Sequence, residues 1–464
     1  MFRKILIANR GEIAVRIIRA CRELGVATVV AYSEADRLSL PVEMADEAIC
    51  IGPAAPDKSY LNIPNLVSAA LVSGAEAIHP GYGFLSENAY LAEVCEQCQI
   101  VFVGPSARSI EQFHDKAAAR ERMREAGLPV LPGVDRPVYT LDAARRAASE
   151  IGFPVMVKAC AGGGGRGLRP ARDEAELARV FSIAQMEAQS AFGNGGLYLE
   201  SLVEGARHVE VQVLVDRYGK AVHLGERDCS IQRRHQKMLE ESPCVVLDPQ
   251  VRAEMGARAA AAAAAVGYEG VGTIEFLVDG RGRYFFIEMN TRIQVEHPVT
   301  EMITGIDLVK WQMRVAAGEP LGFDQSEVRS RGHAIECRVN AEDPARGFMP
   351  QSGVISQFAA PGGPGIRVDT HLFSGYLMPP YYDSLLAKVI SWGNDRREAI
   401  SRMRRALEEF KIVGVSTNIP FQQQLLANPD FLEGRLDTDF VERWLSSRGS
   451  LESDDGRALV AAGA

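Results

Sequence analysis

Two short runs contain acids that an apolar strand has no structural use for. Gly272-Thr273-Ile274-Glu275-Phe276-Leu277-Val278 and Tyr284-Phe285-Phe286-Ile287-Glu288-Met289-Asn290 are rich in β-branched and aromatic residues, and Asp279-Gly280-Arg281-Gly282-Arg283 separates them. That composition predicts a β-hairpin. With the turn centred between Arg281 and Gly282, Glu275 and Glu288 stand opposite each other. Period-two alternation then puts Glu288, Asn290 and Arg292 on one face. Facing carboxylates about 5 Å apart repel by roughly 3 kcal/mol at an effective dielectric of about 20. A divalent cation relieves the repulsion, and two glutamates with an asparagine form an all-oxygen set suited to magnesium on phosphate oxygens. The alternative is an exposed edge on which each acid is solvated separately. A turn centred on Asp279-Gly280 shifts the register but keeps the shared face.

The chain continues Thr291-Arg292-Ile293-Gln294-Val295-Glu296-His297-Pro298. Arg292, Gln294 and Glu296 alternate, so a strand or extended loop aims all three at one pocket, where an arginine holds an oxyanion and a carboxylate accepts a proton. Alone, such alternation reads as a solvated strand face; continuous with a metal-binding hairpin, it reads as a substrate pocket. A second candidate is Val155-Met156-Val157-Lys158, followed within a few residues by Gly162-Gly163-Gly164-Gly165. Bare backbone lets N–H groups approach an anion, and Lys158 adds a point charge for a phosphate. A glycine flap over nucleotide phosphates fits this, against a plain flexible hinge. It is not a P-loop, because no Gly-Lys-Ser/Thr follows.

These groups need a scaffold. The first hundred residues alternate strands (Lys4–Ala8, Thr28–Tyr32, Ala75–His79, Ile100–Val103) with helices (Glu12–Leu24, Ile63–Val72, Leu85–Cys98), which predicts a parallel sheet with helices on its faces. Asn9-Arg10-Gly11-Glu12 offers one glycine at the first turn and an acid where a pyrophosphate would lie, so a dinucleotide-dependent oxidoreductase is disfavoured. From about Lys116 the strands are separated by glycine-rich turns, and His208–Val215 with Ala221–Glu226 read as an antiparallel pair across Asp216-Arg217-Tyr218-Gly219. A third region begins near Gly332.

The 464 residues carry a formal net charge of −9, which argues against nucleic acid as a partner and leaves phosphate groups to local cations. No run reaches the roughly 18 apolar residues of a membrane span, and the N-terminal apolar run is too short for a signal peptide. Eight cysteines are scattered. Cys95 and Cys98 have no second pair for a zinc site, so the thiols read as free and structural, and the expected compartment is the cytoplasm.

Longer strings point further. Ile7-Ala8-Asn9-Arg10-Gly11-Glu12-Ile13-Ala14, His79-Pro80-Gly81-Tyr82-Gly83-Phe84-Leu85-Ser86-Glu87-Asn88, Glu226 to Lys237, Glu288 to Glu301 and Arg338-Val339-Asn340-Ala341-Glu342-Asp343-Pro344 resemble biotin carboxylases, within the ATP-grasp superfamily, over nearly the whole chain. The resemblance implies a mixed α/β and α+β fold. A Rossmann-like parallel α/β domain would span 1–113. An ATP-grasp domain would span 114–330, its mobile glycine-rich lid lying at about 131–203. A C-terminal α+β domain would cover 331–446, ahead of a flexible tail at 447–464.

It also implies the reaction: ATP phosphorylates bicarbonate to carboxyphosphate, and the carboxyl group passes to N1′ of biotin on a separate carrier protein, as in the first half-reaction of acetyl-CoA carboxylase. Lys116, Lys158 and Gly162, Gly163, Gly164 and Gly165 would contact ATP; Glu200, Ser201, Leu202 and Val203 would frame adenine; His208, Gln232 and His235 would line the nucleotide pocket. Glu275, Glu288 and Asn290 would hold two magnesium ions, with manganese as a substitute. Lys237, Arg292, Gln294 and Val295 would bind bicarbonate, with Glu296 as general base. Arg338 would stabilise the enolate-like ureido oxygen, and Tyr82, Gly83 and Asp383 would lie at biotin. Arg19, Glu23 and Arg367 fall where bacterial members form a homodimer. No Ala-Met-Lys-Met string occurs, so the biotin carrier and the carboxyltransferase are expected as separate chains, with the acceptor open among acetyl-CoA, propionyl-CoA and pyruvate. Cys160 and Ala161 depart from the usual loop, and Arg346 to Gln351 from the usual biotin-side pattern. Another ATP-grasp ligase is the rival reading; Arg338, Tyr82 and Asp383 argue against it.

Overall fold

The computed structural model describes residues 1–134, 136–160 and 168–447. The tetraglycine Gly162–Gly165 and all but the first residue of the expected tail fall outside them; Ser447 ends helix Phe440–Ser447. Strand β1 (Lys4–Ile7) is apolar, with Ile5, Leu6 and Ile7 inaccessible to solvent. It lies at the centre of a five-stranded sheet with β2 (Ala27–Ser33), β3 (Glu47–Gly52), β4 (Ala77–His79) and β5 (Val101–Phe102), in the order β3-β2-β1-β4-β5. All pairings are parallel, as the strand–helix alternation requires. Strand β3 escaped the sequence reading because it is an edge strand with half of its residues exposed, which blurs the apolar signal. The helix expected from Leu85 starts instead at Ala89, where Asn88 accepts from the Leu91 N–H. The preceding residues Gly81, Gly83 and Phe84 all have positive φ, which bends the chain away from helix.

A small sheet follows: β6 (Val155–Ala159), β7 (Arg169–Ala171) and β8 (Leu197–Ser201), ordered β7-β6-β8. Helices Leu141–Ile151 and Glu174–Phe192 cover it and give it a core of its own. The third sheet has eight strands. In it β9 (Arg207–Val215), β10 (Ala221–Arg233), β11 (Gln236–Ser242), β12 (Gly270–Val278), β13 (Tyr284–Asn290) and β14 (His333–Asn340) join strands Ile366–Thr370 and Leu385–Gly393. The order is β13-β12-β9-β10-β11-β14, then Leu385–Gly393 and Ile366–Thr370, antiparallel throughout. Because β11 pairs with β14, hydrogen bonding runs straight through the boundary expected at 330.

Strand β9 shows how this sheet makes a site. All of its residues are buried, yet they alternate. Val209, Val211, Val213 and Val215 enter the apolar core beside helix Pro249–Ala265, where Ala259, Ala262 and Ala263 have no exposure. The helix lies so close that a Cβ on Gly256 would come 2.5 Å from the His223 ring. His208, Glu210 and Gln212 point to the other face and are buried as well. Buried polar groups cost free energy unless paired, so this face must carry its own partners. Among the described residues no helix is long and apolar enough to cross a membrane.

Candidate functional site

The hairpin forms as expected, and Glu275 lies directly opposite Glu288. The route to that register is different. At the turn Val278 pairs with Tyr284 and Phe276 with Phe286, while Glu275 pairs with Glu288, so Ile287 is an extra residue in β13. The bulge changes faces. Tyr284, Phe286 and Met289 point into the apolar core, and Glu288 and Asn290 point away from it. Were Ile287 paired with Glu275 instead of bulged, Glu288 would fall opposite Ile274 on the core face. The alternative of separately solvated acids at an open edge does not hold for Glu275, which is 4% exposed.

Glu275 is the hub of the polar face. Its Oε1 accepts from Lys237 (2.9 Å), Asn290 (2.9 Å) and Gln294 (2.8 Å), and His208 Nε2 lies 2.9 Å from its Oε2. Burial opposes its ionisation, but Lys237 and His208 hold the carboxyl well below the usual range. Lys237 also donates to Glu210 and, at 2.7 Å, to Glu296. Burial disfavours the charge on this ammonium, yet Cys229 and the three carboxylates around it keep the lysine firmly protonated. Arg227, wholly buried, donates to Glu210 (2.6 Å), Gln212 (2.6 Å), Gln294 (2.7 Å), Thr300 (3.0 Å) and Thr273 (3.2 Å). Glu210, Gln212 and Arg227 were missed from sequence. The available signal was the polar–valine alternation of β9, whose polar positions had to be satisfied by something.

Glu296 completes the cluster between Lys237 and Arg338, whose Nη2 donates to it over 2.8 Å. Burial favours its neutral form, but Lys237, Arg338 and Arg227 hold the carboxyl well below the ordinary range. Residues 291–296 correct one expectation. They leave the sheet as a turn, and Glu296 is the residue immediately before helix His297–Thr304, so the 292/294/296 alternation is not that of a strand. Gln294 and Glu296 still converge on Lys237 and Arg227. Arg292 turns elsewhere: its Nε donates to Glu87 and its Nη2 to Asn290, both over 2.9 Å. Glu87 also accepts from the Thr291 N–H at 3.0 Å, tying the first sheet's loops to the hairpin. The Val295 carbonyl accepts from Lys388 at 3.0 Å.

On the other side of the hairpin, Lys116 lies 3.1 Å from Glu288. Lys158 pairs with Glu200, and the Ser201 and Leu202 N–H groups bond the Pro132 and Pro154 carbonyls, leading on to Val203. Gln232 lies 2.8 Å from His208 Nδ1. His235 is exposed on the β10–β11 turn, where it and Arg234 have positive φ. A cavity of about 290 Å³ lies apart from these groups, lined by Glu12, Tyr82, Gly83, Tyr381, Tyr382 and Asp383 among others. Arg338 is not among its lining residues and stays with Glu296 and Glu240. Glu12, the acid of the first turn, accepts from the Tyr82 hydroxyl and lies 3.0 Å from Lys388.

The donor chemistry discriminates between places for a cation. Glu210, Cys229 and Glu296 converge closely enough to ligate one, but Lys237 and Arg227 already balance that charge. Glu288, a third exposed and facing Lys116, offers a more accessible carboxylate to a hard divalent ion, beside oxygens of Glu275 and Asn290 that now accept from Lys237 and Arg292. All eight cysteines are free, so Cys95 and Cys98 form no disulfide. Glu23 and Arg367, expected at a subunit contact, are engaged within the chain, by Lys310 and by Glu301 (2.7 Å) with Asp369 (2.7 Å) respectively.

Residues 1–110 match the family "biotin carboxylase, N-terminal domain", 115–323 the "carbamoyl-phosphate synthase L chain, ATP binding domain", and 336–443 the "biotin carboxylase C-terminal domain". The chain is 57% identical to biotin carboxylase 1 of Bacillus subtilis, over 96% of this chain and 99% of that one. It is 52% identical to a pyruvate carboxylase subunit of Methanothermobacter thermautotrophicus, over 96% and 90%. Among solved structures, the biotin carboxylase domain dimer of Hydrogenobacter thermophilus 2-oxoglutarate carboxylase, with MgADP, ADP and bicarbonate, superposes with a TM-score of 0.92 at 51% identity, covering 96% of this chain and 98% of that one.

Proposed function

This chain belongs to the biotin carboxylase family, and from that premise we propose which of its residues perform each step. The activity is that of an ATP-dependent ligase: bicarbonate and ATP carboxylate biotin, with ADP and phosphate released. The observation that carries the assignment of roles is Glu296, a buried carboxylate held ionised between two cations, Lys237 and Arg338.

Bicarbonate entering between Lys237, Arg292 and Arg338 would share the cations that now hold Glu296. Its oxyanion draws positive charge away from the carboxylate, which raises the basicity of Glu296 as the proton must move. Glu296 then takes the bicarbonate proton while a bicarbonate oxygen attacks the γ-phosphorus, and ADP departs from the resulting carboxyphosphate. Gln294 holds Glu275, and Arg227 holds both Gln294 and Glu210, a partner of Lys237. Glu275, Glu288 and Asn290 would hold magnesium, which when bound neutralises phosphate charge. Lys116, Lys158, Gly162–Gly165, Glu200–Val203, His208, Gln232 and His235 are assigned to the nucleotide. For the second half, Arg338 would hold negative charge on the ureido oxygen of biotin, and Tyr82, Gly83 and Asp383, which line the separate cavity, are assigned to biotin. The three-part division of the chain, a separate carrier protein and carboxyltransferase, a homodimer and a cytoplasmic setting belong to the same proposal.

Bicarbonate-dependent ATP cleavage, measured with and without free biotin, tests the reading. Turnover indifferent to both bicarbonate and biotin would overturn it.

A further inference from the structure

We propose that Glu240 on β11 and Glu336 on β14 share a single proton and, in that state, act as positioning residues that set the place and effective charge of Arg338. The inference rests on the reading of Arg338 above and deepens it. The two glutamates are directly opposite in register, and neither has any solvent exposure. Facing positions on adjacent strands put their side chains about 5 Å apart.

The cations within reach are already divided. Arg338 gives its Nε to Glu240 Oε1 (2.6 Å) and its Nη2 to Glu296 (2.8 Å). Lys388 lies 3.0 Å from Glu12, donates to the Val295 carbonyl over 3.0 Å and has Asp369 at 3.8 Å. Glu240 Oε2 and both oxygens of Glu336 are buried and make no hydrogen bond to the described protein groups. Two such carboxyls cannot both ionise at that separation, so one proton stays with the pair. The remaining groups facing them do not change the count. Cys229 approaches from β10, Lys237 from β11, and Glu296 with His297 from the helix that packs on this face; Lys237 is committed to three other carboxylates, and His297 Nδ1 lies 2.8 Å from the Gln294 carbonyl. Burial, only partly offset by Arg338, pushes Glu240 up to about 7, and burial beside Glu240 keeps Glu336 well above the usual carboxyl range.

With one proton, the pair presents one negative charge, and Arg338 retains the positive character needed at a developing oxyanion. Loss of that proton at alkaline pH places a second negative charge beside the guanidinium. Biotin-dependent turnover should therefore fall as pH rises through the pair's titration.

The full-length chain, Glu336→Gln, Glu240→Gln and Glu240→Asp provide the test. Infrared spectra of the wild type at neutral pH should contain a buried protonated-carboxyl C=O band that Glu336→Gln removes. Absence of the band in the wild type, or its persistence in that variant, overturns the shared proton whatever Arg338 does. Glu240→Gln should lower kcat/KM for biotin about tenfold, the loss of one charge-assisted hydrogen bond, with a smaller loss in biotin-independent ATP cleavage, and Glu240→Asp should recover part of it. Equal losses in the two assays overturn the positioning role. In Glu336→Gln the alkaline decline should move to higher pH; an unmoved decline also counts against the pair. A wild type with no biotin dependence at all would sink the assignment of Arg338, while the infrared result still decides the shared proton.

Discussion

Neighbouring residues on β11 have opposite fates. Glu241 points to one face of the sheet, where His333 Nε2 (2.8 Å) and Arg396 Nε (2.6 Å) meet it, and despite burial its pKa falls to about 2. Glu240 points to the other face, shares one arginine with Glu296 and faces another acid, and it is pushed up to about 7. Burial is the same on both sides. What differs is the number of cations free to answer each carboxylate, and the functional face is the one kept short of them.

The contrast can be broken most severely at Arg227. Replacing it with methionine leaves Glu210 buried with one cation fewer, and unfolding stability should fall by about 3–5 kcal/mol in urea titrations. Glu296→Ala should lower bicarbonate-dependent ATP cleavage by about 10²–10⁴-fold, as expected for a general base, while nucleotide binding by calorimetry persists. Full turnover in that variant would remove Glu296 from the role. Glu288→Ala should weaken binding of Mg-ATP by about tenfold or more, the scale of one lost charge-assisted contact. Unchanged binding would remove Glu288 from the metal site. The smallest effect lies on the quiet face. Glu241 has a depressed pKa, so its contribution is present above the unfolded value of about 4.3 and lost as pH falls through about 2. Glu241→Gln should flatten the dependence of the urea midpoint on pH in that window, and a curve as steep as the wild type's would count against the assignment.

Much of this was legible in advance. The parallel sheet followed from strand–helix alternation, and the opposition of Glu275 and Glu288 from the composition of one hairpin. Both are local patterns of known period. The bulge was not legible, although it is what turns Glu288 and Asn290 into the site, because a single extra residue in a strand has no periodic signature. Arg227, Glu210 and Gln212 were passed over for a related reason. Each is unremarked in its own string, and their importance comes from being buried together between β9, β10 and helix His297–Thr304.

The amino-acid sequence by itself determined the residue types: an all-oxygen pair of acids with an asparagine, an arginine–amide–carboxylate series, and the long strings that tie the chain to its family. Local order and chemical identity require nothing beyond neighbours in the chain. Only the tertiary structure decided the charge state of each group. Glu12, Glu240 and Glu336 come from distant segments, and whether a carboxyl holds its proton depends on which cations lie within a few ångströms and what else those cations already serve.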